Sequence, residues 1–277
     1  MPLSSDDDQP APTFVRTVKT QKPKWDDDEP DLEATTYTFA DRGPSPVPSW
    51  VITEDAARQF ELGILKSGKE ADVYIVERKL GDRSNLLAAK RYRDFEDRLF
   101  RNDARYRRRV GNRRVDLAMD KGTKAGMEFR AALWVDTEFS TLGRLWEAGV
   151  SVPYPVQRIG NEIMLEYFGT REAAAPRLVA SRASKDELVE LHAQAIELLR
   201  QLVGAGVVHG DLSPYNLLVW DGKLIMIDLP QAVDPLTSRD GLGLLERDVT
   251  NVCRWFERHG VQTEATELLA DLVSILF

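Results

Sequence analysis

Asp211, Asn216 and Asp228 are the residues around which this sequence can do chemistry. Asp211 and Asn216 stand five residues apart in His209-Gly-Asp-Leu-Ser-Pro-Tyr-Asn216, an H-x-D-x-x-x-x-N pattern. Asp228 closes the apolar run Leu224-Ile225-Met226-Ile227. Between them Asp221-Gly222 separates two apolar runs, and glycine supplies the positive φ that a tight hairpin turn needs. Such a hairpin folds Asp228 back toward Asn216 and Asp211. Two carboxylates and an amide gathered at one point suit phosphoryl transfer, in which catalysis is mostly positioning and charge neutralisation. Asp211 would accept the proton of the nucleophile, while Asn216 and Asp228 would hold Mg²⁺ against phosphate oxygens. The plain alternative is a solvated loop with chance carboxylates; spacing, strand context and turn all stand against it.

The first half of the chain must supply the opposing groups. Thr53-Glu-Asp-Ala-Ala-Arg-Gln-Phe60 reads as a short helix with Thr53 as N-cap. Two extended segments then flank a glycine-containing turn, with Ala71, Val73 and Ile75 alternating against Asp72, Tyr74 and Val76. Gly63 to Lys69 matches most of a Walker A loop, but Glu70 replaces the final Ser/Thr and a strand follows where a helix is required. A glycine turn between strands, draped over phosphates with Ser67 and Lys69 beside it, fits better. Leu86 to Tyr92 is a further strand carrying Lys90, either a solvated edge residue or an amine that grips phosphates. Its carboxylate partner would be Glu138, beside the apolar stripe of a helix over Met127–Ala148 that Gly149 ends. An exposed helix acid is the alternative for Glu138.

Strand-like runs follow Val152-Pro-Tyr-Pro155, and Ile163–Phe168 forms the linker whose backbone would meet an adenine, with Glu166 and Phe168 as its binding candidates. Ser184-Lys-Asp-Glu187 is a capping box opening a helix with Leu188, Leu191, Ala195, Leu198, Leu199 and Leu202 on one face. Leu242–Phe256 and Glu264–Phe277 read as two closing helices.

The chain of 277 residues is long enough for two lobes around a cleft. A single cysteine, Cys253, excludes an internal disulfide framework and reads as a small buried hydrophobe. Three scattered histidines argue against a histidine-rich metal site. The acidic start has no apolar leader and no run reaches transmembrane length, so a cytoplasmic protein without membrane contact is expected. The net charge of −8 is uneven: residues 1–50 carry ten acids against five bases, whereas residues 90–130 carry fourteen bases against seven acids. The first stretch reads as a disordered arm in which Trp25 and Trp50 could dock. Arg91 to Lys124 reads either as a solvated insertion or as a loop that orders over phosphate, RNA or an acidic partner.

The ordered set of glycine loop, lysine, helix glutamate, H-x-D-x-x-x-x-N and Ile-Asp resembles the protein-kinase-like superfamily. The wording of Ser67-Gly-Lys-Glu-Ala-Asp-Val-Tyr74, Ala89-Lys-Arg-Tyr92, Glu138, His209–Asn216 and Ile227-Asp228 with Gln231 resembles the RIO kinases, the type-one subfamily most of all. Leu245–Val252 is similar to a stretch that follows the metal site in that family. The resemblance, covering about Thr53 to Glu257, implies an α+β two-lobed protein-kinase-like fold of RIO type: a small β-rich N-lobe with one key helix (51–168) and a reduced, mostly helical C-lobe (169–277). It also implies a helix before the glycine loop. It implies a Ser/Thr kinase or ATPase using ATP with Mg²⁺ (Mn²⁺ as an alternative), Lys90 on phosphates, Asp211 as base, and Asn216 and Asp228 as metal ligands. Its implied partners are a protein substrate or the chain itself, and a ribosomal particle or RNA met through Arg91–Lys124. Phosphoryl transfer onto the metal-binding aspartate is part of the same family picture. Lys66 and Ser67 stand where the family has Ser and Thr, Leu229-Pro230 where it has Val-Ser, and Pro214 where it has Glu. An aminoglycoside- or choline-kinase-like phosphotransferase shares the spacing but carries a larger helical C-lobe than fifty residues after Asp228 allow. A non-catalytic RNA- or ribosome-binding pseudokinase is opposed by the intact set of Lys90, Glu138, Asp211, Asn216 and Asp228.

Overall fold

The β-hairpin periodicity of the first half builds a single antiparallel sheet. In the computed structural model, which describes residues 41–68, 70–92 and 124–277, the strands are β1 (Asp41–Arg42), β2 (Arg58–Ser67), β3 (Ala71–Leu80), β4 (Arg83–Tyr92), β5 (Pro155–Ile159) and β6 (Glu162–Glu166). They run in the order β1-β5-β6-β4-β3-β2, and every pairing is antiparallel. The arm up to residue 40, Trp25, Lys69 and most of the basic stretch (93–123) lie outside the described residues. Residues 41–50, assigned to the arm by composition, instead lie against the sheet. Gly43 N donates to Val156 O, Tyr154 Oη donates to Pro44 O, and Trp50 meets Tyr154 edge-on at 6.1 Å.

The expected helix over Thr53–Phe60 does not form. One turn, closed by Ala57 N on Glu54 O, leads straight into β2. Helix-forming residue types are a weak local bias, and the eight-pair ladder between β2 and β3 overrides it. The Ile52 carbonyl, near the start of this stretch, is held by the guanidinium of the fully buried Arg78.

Helix α1 (Lys124–Glu147) crosses behind the sheet. Gly149 ends it at φ 78°, and Val150 N reaches back to Leu145 O in a Schellman-type closure. After β6 come α2 (Lys185–Gly204), the hairpin β7 (Leu217–Trp220) and β8 (Lys223–Met226), then α3 (Gly241–Arg258) and α4 (Ala265–Ser274). The hairpin turn has Asp221 at φ 50° and Gly222 at φ 70°, the paired left-handed conformations of a type I′ turn. The main core joins α1 residues Val135, Leu142 and Leu145 to the leucine face of α2 and the buried faces of α3 and α4. A smaller cluster of Val51, Val76, Leu87, Tyr154, Val156 and Met164 covers the other face of the sheet. Cys253 lies buried in the main core, as its helical setting suggested.

The Ser184 capping box is complete: Glu187 N donates to Ser184 Oγ and Ser184 N to Glu187 Oε2. Replacing Ser184 by Ala should lower unfolding stability by about 1 kcal/mol. In a denaturant titration the midpoint should fall with an unchanged slope; an unshifted midpoint would show the cap to be idle.

Candidate active site

One cross-strand row carries the sheet's contribution to the site. Lys66 of β2 pairs with Val73 of β3, Val73 with Lys90 of β4, and Lys90 with Ile163 of β6. Directly paired residues share a face of the sheet, so both lysines point the same way. Lys90 Nζ lies 2.7 Å from Glu138 Oε1 and 2.7 Å from Asp228 Oδ1. Glu138 is 1% exposed, which removes the reading of a solvated helix acid, and Lys90 is likewise buried. The Glu138 carboxylate also accepts from Leu229 N at 3.3 Å and from the Tyr92 hydroxyl. Pro230 therefore leaves the donor at Leu229 untouched.

Asp228 adopts φ 71°, a left-handed conformation unusual for a residue with a side chain and common where a site stores backbone strain. That turn of the chain aims its carboxylate at Lys90. Burial would push the Asp228 carboxyl up, but Lys90, then Lys66 and His209, hold it down at about 2. Burial would strip the charge from Lys90, and Glu138, Tyr92 and Asp228 more than offset it, so its proton is held well above the ordinary lysine range. The Tyr92 hydroxyl is driven the same way by burial and by Glu138.

The loop bearing Asp211 and Asn216 is fastened at several points. Asn216 Nδ2 donates to Asp211 O at 2.9 Å, Ile227 N donates to Asn216 O, and His209 Nε2 contacts Ile227 O at 3.1 Å. Asp211 N meets His209 Nδ1, so one tautomer, with the proton on Nε2, satisfies both ring nitrogens. Gly210 sits at φ 81°, where a Cβ would come within 2.7 Å of Gln231 O. Beneath the loop, Asp248 of α3 accepts from Gly210 N and Leu212 N, both at 2.8 Å, while Arg247 and Asn251 donate to Gly210 O and Leu212 O. Burial raises the Asp248 carboxyl, against the pull of His209 and these two amides. Residue type and spacing alone give Asp248, Tyr92 and His209 no role. Asp248 did leave a signal, an acid on the apolar stripe of Leu244, Leu245, Val249 and Val252.

A cavity of about 690 Å³ opens beside this cluster. Ala88, Leu165, Leu218 and Ile227 are apolar parts of its wall, and Lys90, Glu138, Asp228 and Lys66 are charged ones. Glu166 and Phe168 line it where β6 runs into the following segment, and burial raises the Glu166 carboxyl against the opposing bond from Tyr154 N. Asp211 and Asn216 stand outside the wall, Asp211 exposed and Asn216 buried behind it. Ser67 does not reach the cavity: it pairs with Asp72, its Oγ donating to Asp72 Oδ1 at 2.7 Å, and Lys66 faces the cavity where Ser67 was expected. Lys69 falls outside the described residues.

The sequence pattern described as the RIO domain matches residues 72–269. The RIO-type serine/threonine-protein kinase Rio1 of Haloferax volcanii is 35% identical over 208 residues, covering 74% of this chain and 66% of its own length. Rio1 of Thermoplasma acidophilum is 34% identical over 141 residues, 49% of this chain and 70% of the relative. The human serine/threonine-protein kinase RIO3 is 34% identical over 136 residues, only 26% of its length. The alignments thus span from about a quarter to some two thirds of these relatives. The crystal structure of the Rio2 kinase from Chaetomium thermophilum superposes with a TM-score of 0.58 at 22% identity, over 77% of this chain and 63% of that one. That likeness shows the fold, a mixed α+β kinase-like arrangement of antiparallel sheet and helical part. With the RIO domain pattern covering most of the sequence, the chain belongs to the RIO family of atypical protein kinases, the type-one members among its relatives.

Proposed function

We propose that this chain is a RIO-type serine/threonine protein kinase that uses ATP with Mg²⁺ (Mn²⁺ as an alternative), with ATP hydrolysis as a second outcome of the same site. The observation that carries the reading is the Lys90 ammonium joined to both Glu138 and Asp228 in the wall of the cavity. A volume of about 690 Å³ falls within the span usual for small-molecule sites. Its apolar wall suits a base, and at the edge Phe168 N would be the backbone donor to it, since Glu166 N and Phe168 O are already bonded to Tyr154 O and Ala175 N. Bound ATP would bring the transferable phosphoryl group, and Mg²⁺ would offset its charge.

In this reading Lys90 turns its free proton toward the phosphates while Glu138, itself held by Tyr92 and Leu229 N, keeps the amine in place. Asn216 donates its amide N–H to Asp211 O, which leaves its side-chain oxygen, with an Asp228 oxygen, to hold the metal. Among the described residues no cluster of three or more His, Cys, Asp or Glu could bind a metal, so phosphate oxygens and waters would complete the shell. The exposed Asp211 accepts the hydroxyl proton of a protein substrate, or of this chain itself. In the hydrolytic variant an Asp228 oxygen would take the terminal phosphoryl group as ADP leaves, and water would then cleave the acyl phosphate to free phosphate and restore the carboxylate; a Rio2 complex with ADP/Mg²⁺ and phosphoaspartate, sharing this fold at a TM-score of 0.55, supports it. Contact with a ribosomal particle or RNA through Arg91–Lys124 rests on the charge of that stretch. A cytoplasmic setting fits the finding that no described helix is long and apolar enough to cross a membrane.

Incubation with γ-labelled ATP and Mg²⁺ should place label on Ser or Thr of protein, on an acyl phosphate, or in free phosphate. In Asp211→Asn the turnover should drop about 10³-fold with nucleotide affinity retained. Wild-type turnover in that variant, or none in the native protein, would overturn the assignment. A second expectation concerns acid. Because the folded-state carboxyl of Asp228 lies at about 2, below its ordinary value, its contribution is present above pH ~4 and lost as pH falls toward 2. The native protein should lose about 2 kcal/mol more stability over that window than Asp228→Asn does. Parallel pH curves for the two proteins would show the ion pair to be absent.

A further inference from the structure

Lys66 is turned into the cavity by a flaw in the β2–β3 ladder. Ile64 pairs with Tyr74, and after an irregularity at Leu65 it is Lys66, not Leu65, that pairs with Val73. An unbroken ladder would put Leu65 opposite Val73 and send Lys66 to the other face; the extra residue of the bulge brings Lys66 into that row, with Leu65 beside it in the cavity lining. Lys66 Nζ consequently stops 4.0 Å from Asp228 Oδ2, while Lys90 holds Asp228 Oδ1. The two amines stand in one row with Val73 between them, so they approach the same carboxylate from two sides. Arg177 also lines the cavity, and its guanidinium has no carboxylate partner among the described residues. With 44% of its side chain exposed, Lys66 has its proton disfavoured by partial burial and then by Arg177, against the pull of Asp228 and of Glu70, which also lines the cavity. Lys66, with one 4.0 Å contact to Asp228, and Arg177, with no carboxylate contact among the described residues, line one space with Glu70, and an anion entering there would be drawn to both cations. Lys90 is already committed to Glu138 and Asp228, so the second amine meets a different part of any polyphosphate.

Taking the cavity to hold a nucleoside triphosphate, as proposed above, we infer that Lys66 is a specificity residue that binds the terminal phosphate and makes the site prefer triphosphate over diphosphate. Its ammonium donates to the oxygens of that phosphate beside the carboxylate that faces the metal. A solvated lysine in a screened ion pair would contribute nothing to nucleotide choice. The test is calorimetric binding of a non-hydrolysable ATP analogue and of ADP, each with Mg²⁺ at physiological salt, to the native protein and to Lys66→Met. Loss of one charge-assisted contact should weaken the ATP analogue about tenfold and leave ADP within about twofold of native. ADP affinity serves at the same time as the check that the variant is folded. An unchanged ratio of the two affinities, whether both persist or both fall together, overturns the assignment to Lys66. Failure of the native protein to bind either nucleotide overturns the nucleotide reading itself, and this assignment with it.

Discussion

A buried ammonium shared by two carboxylates is the constraint on which this structure turns. Lys90 comes from the middle of the sheet, Glu138 from the helix behind it and Asp228 from the loop after β8, so one cation ties three elements far apart in the sequence. Removing charges from water costs several kcal/mol per ion, and only close geometry with further hydrogen bonds offsets it. Those bonds are present: Tyr92 and Leu229 N complete Glu138, and Lys66 approaches the outer oxygen of Asp228. A pair that stability alone required could be replaced by apolar side chains. Keeping it charged fits the role proposed for the site, in which the amine would meet phosphate and the acid the metal.

The second half of the molecule serves the same end by immobilising backbone. Asp248 takes up two amide protons of the loop that bears Asp211, and His209 spans from that loop to the strand end before Asp228. Each is a buried polar group that would be costly without its partners, so the loop has few alternative conformations. The left-handed backbone at Asp228 is tolerated because these contacts over-determine it. Rigid elements on both sides thus hold Asp228 in the cavity wall and fix the loop that bears Asp211 and Asn216.

Much of this was legible in the sequence. The type I′ hairpin at Asp221-Gly222, the capping box at Ser184 and the leucine face of α2 depend on neighbours within a few residues, and local chemistry specified them. Lys90 and Glu138 were readable because a charge amid apolar residues demands a reason. The helix expected over Thr53–Phe60 was not readable, because the deciding term is pairing with β3 rather than propensity. The bulge at Leu65 was hidden for the same cause: register belongs to two strands together, and a shift of one residue exchanged Lys66 for the expected Ser67. Asp248 had a readable signal, an acid on an apolar helix face, but its partners are loop amides that no pattern of side chains displays.

The claim that Lys90 and Asp228 hold the sheet and the second half together is tested most directly by a double-mutant cycle. Unfolding free energies would be measured for the native protein, Lys90→Met, Asp228→Asn and the double variant at neutral pH without nucleotide. The account predicts a coupling of about 2 kcal/mol or more between the two positions. Additive effects, with coupling below about 0.5 kcal/mol, would contradict it.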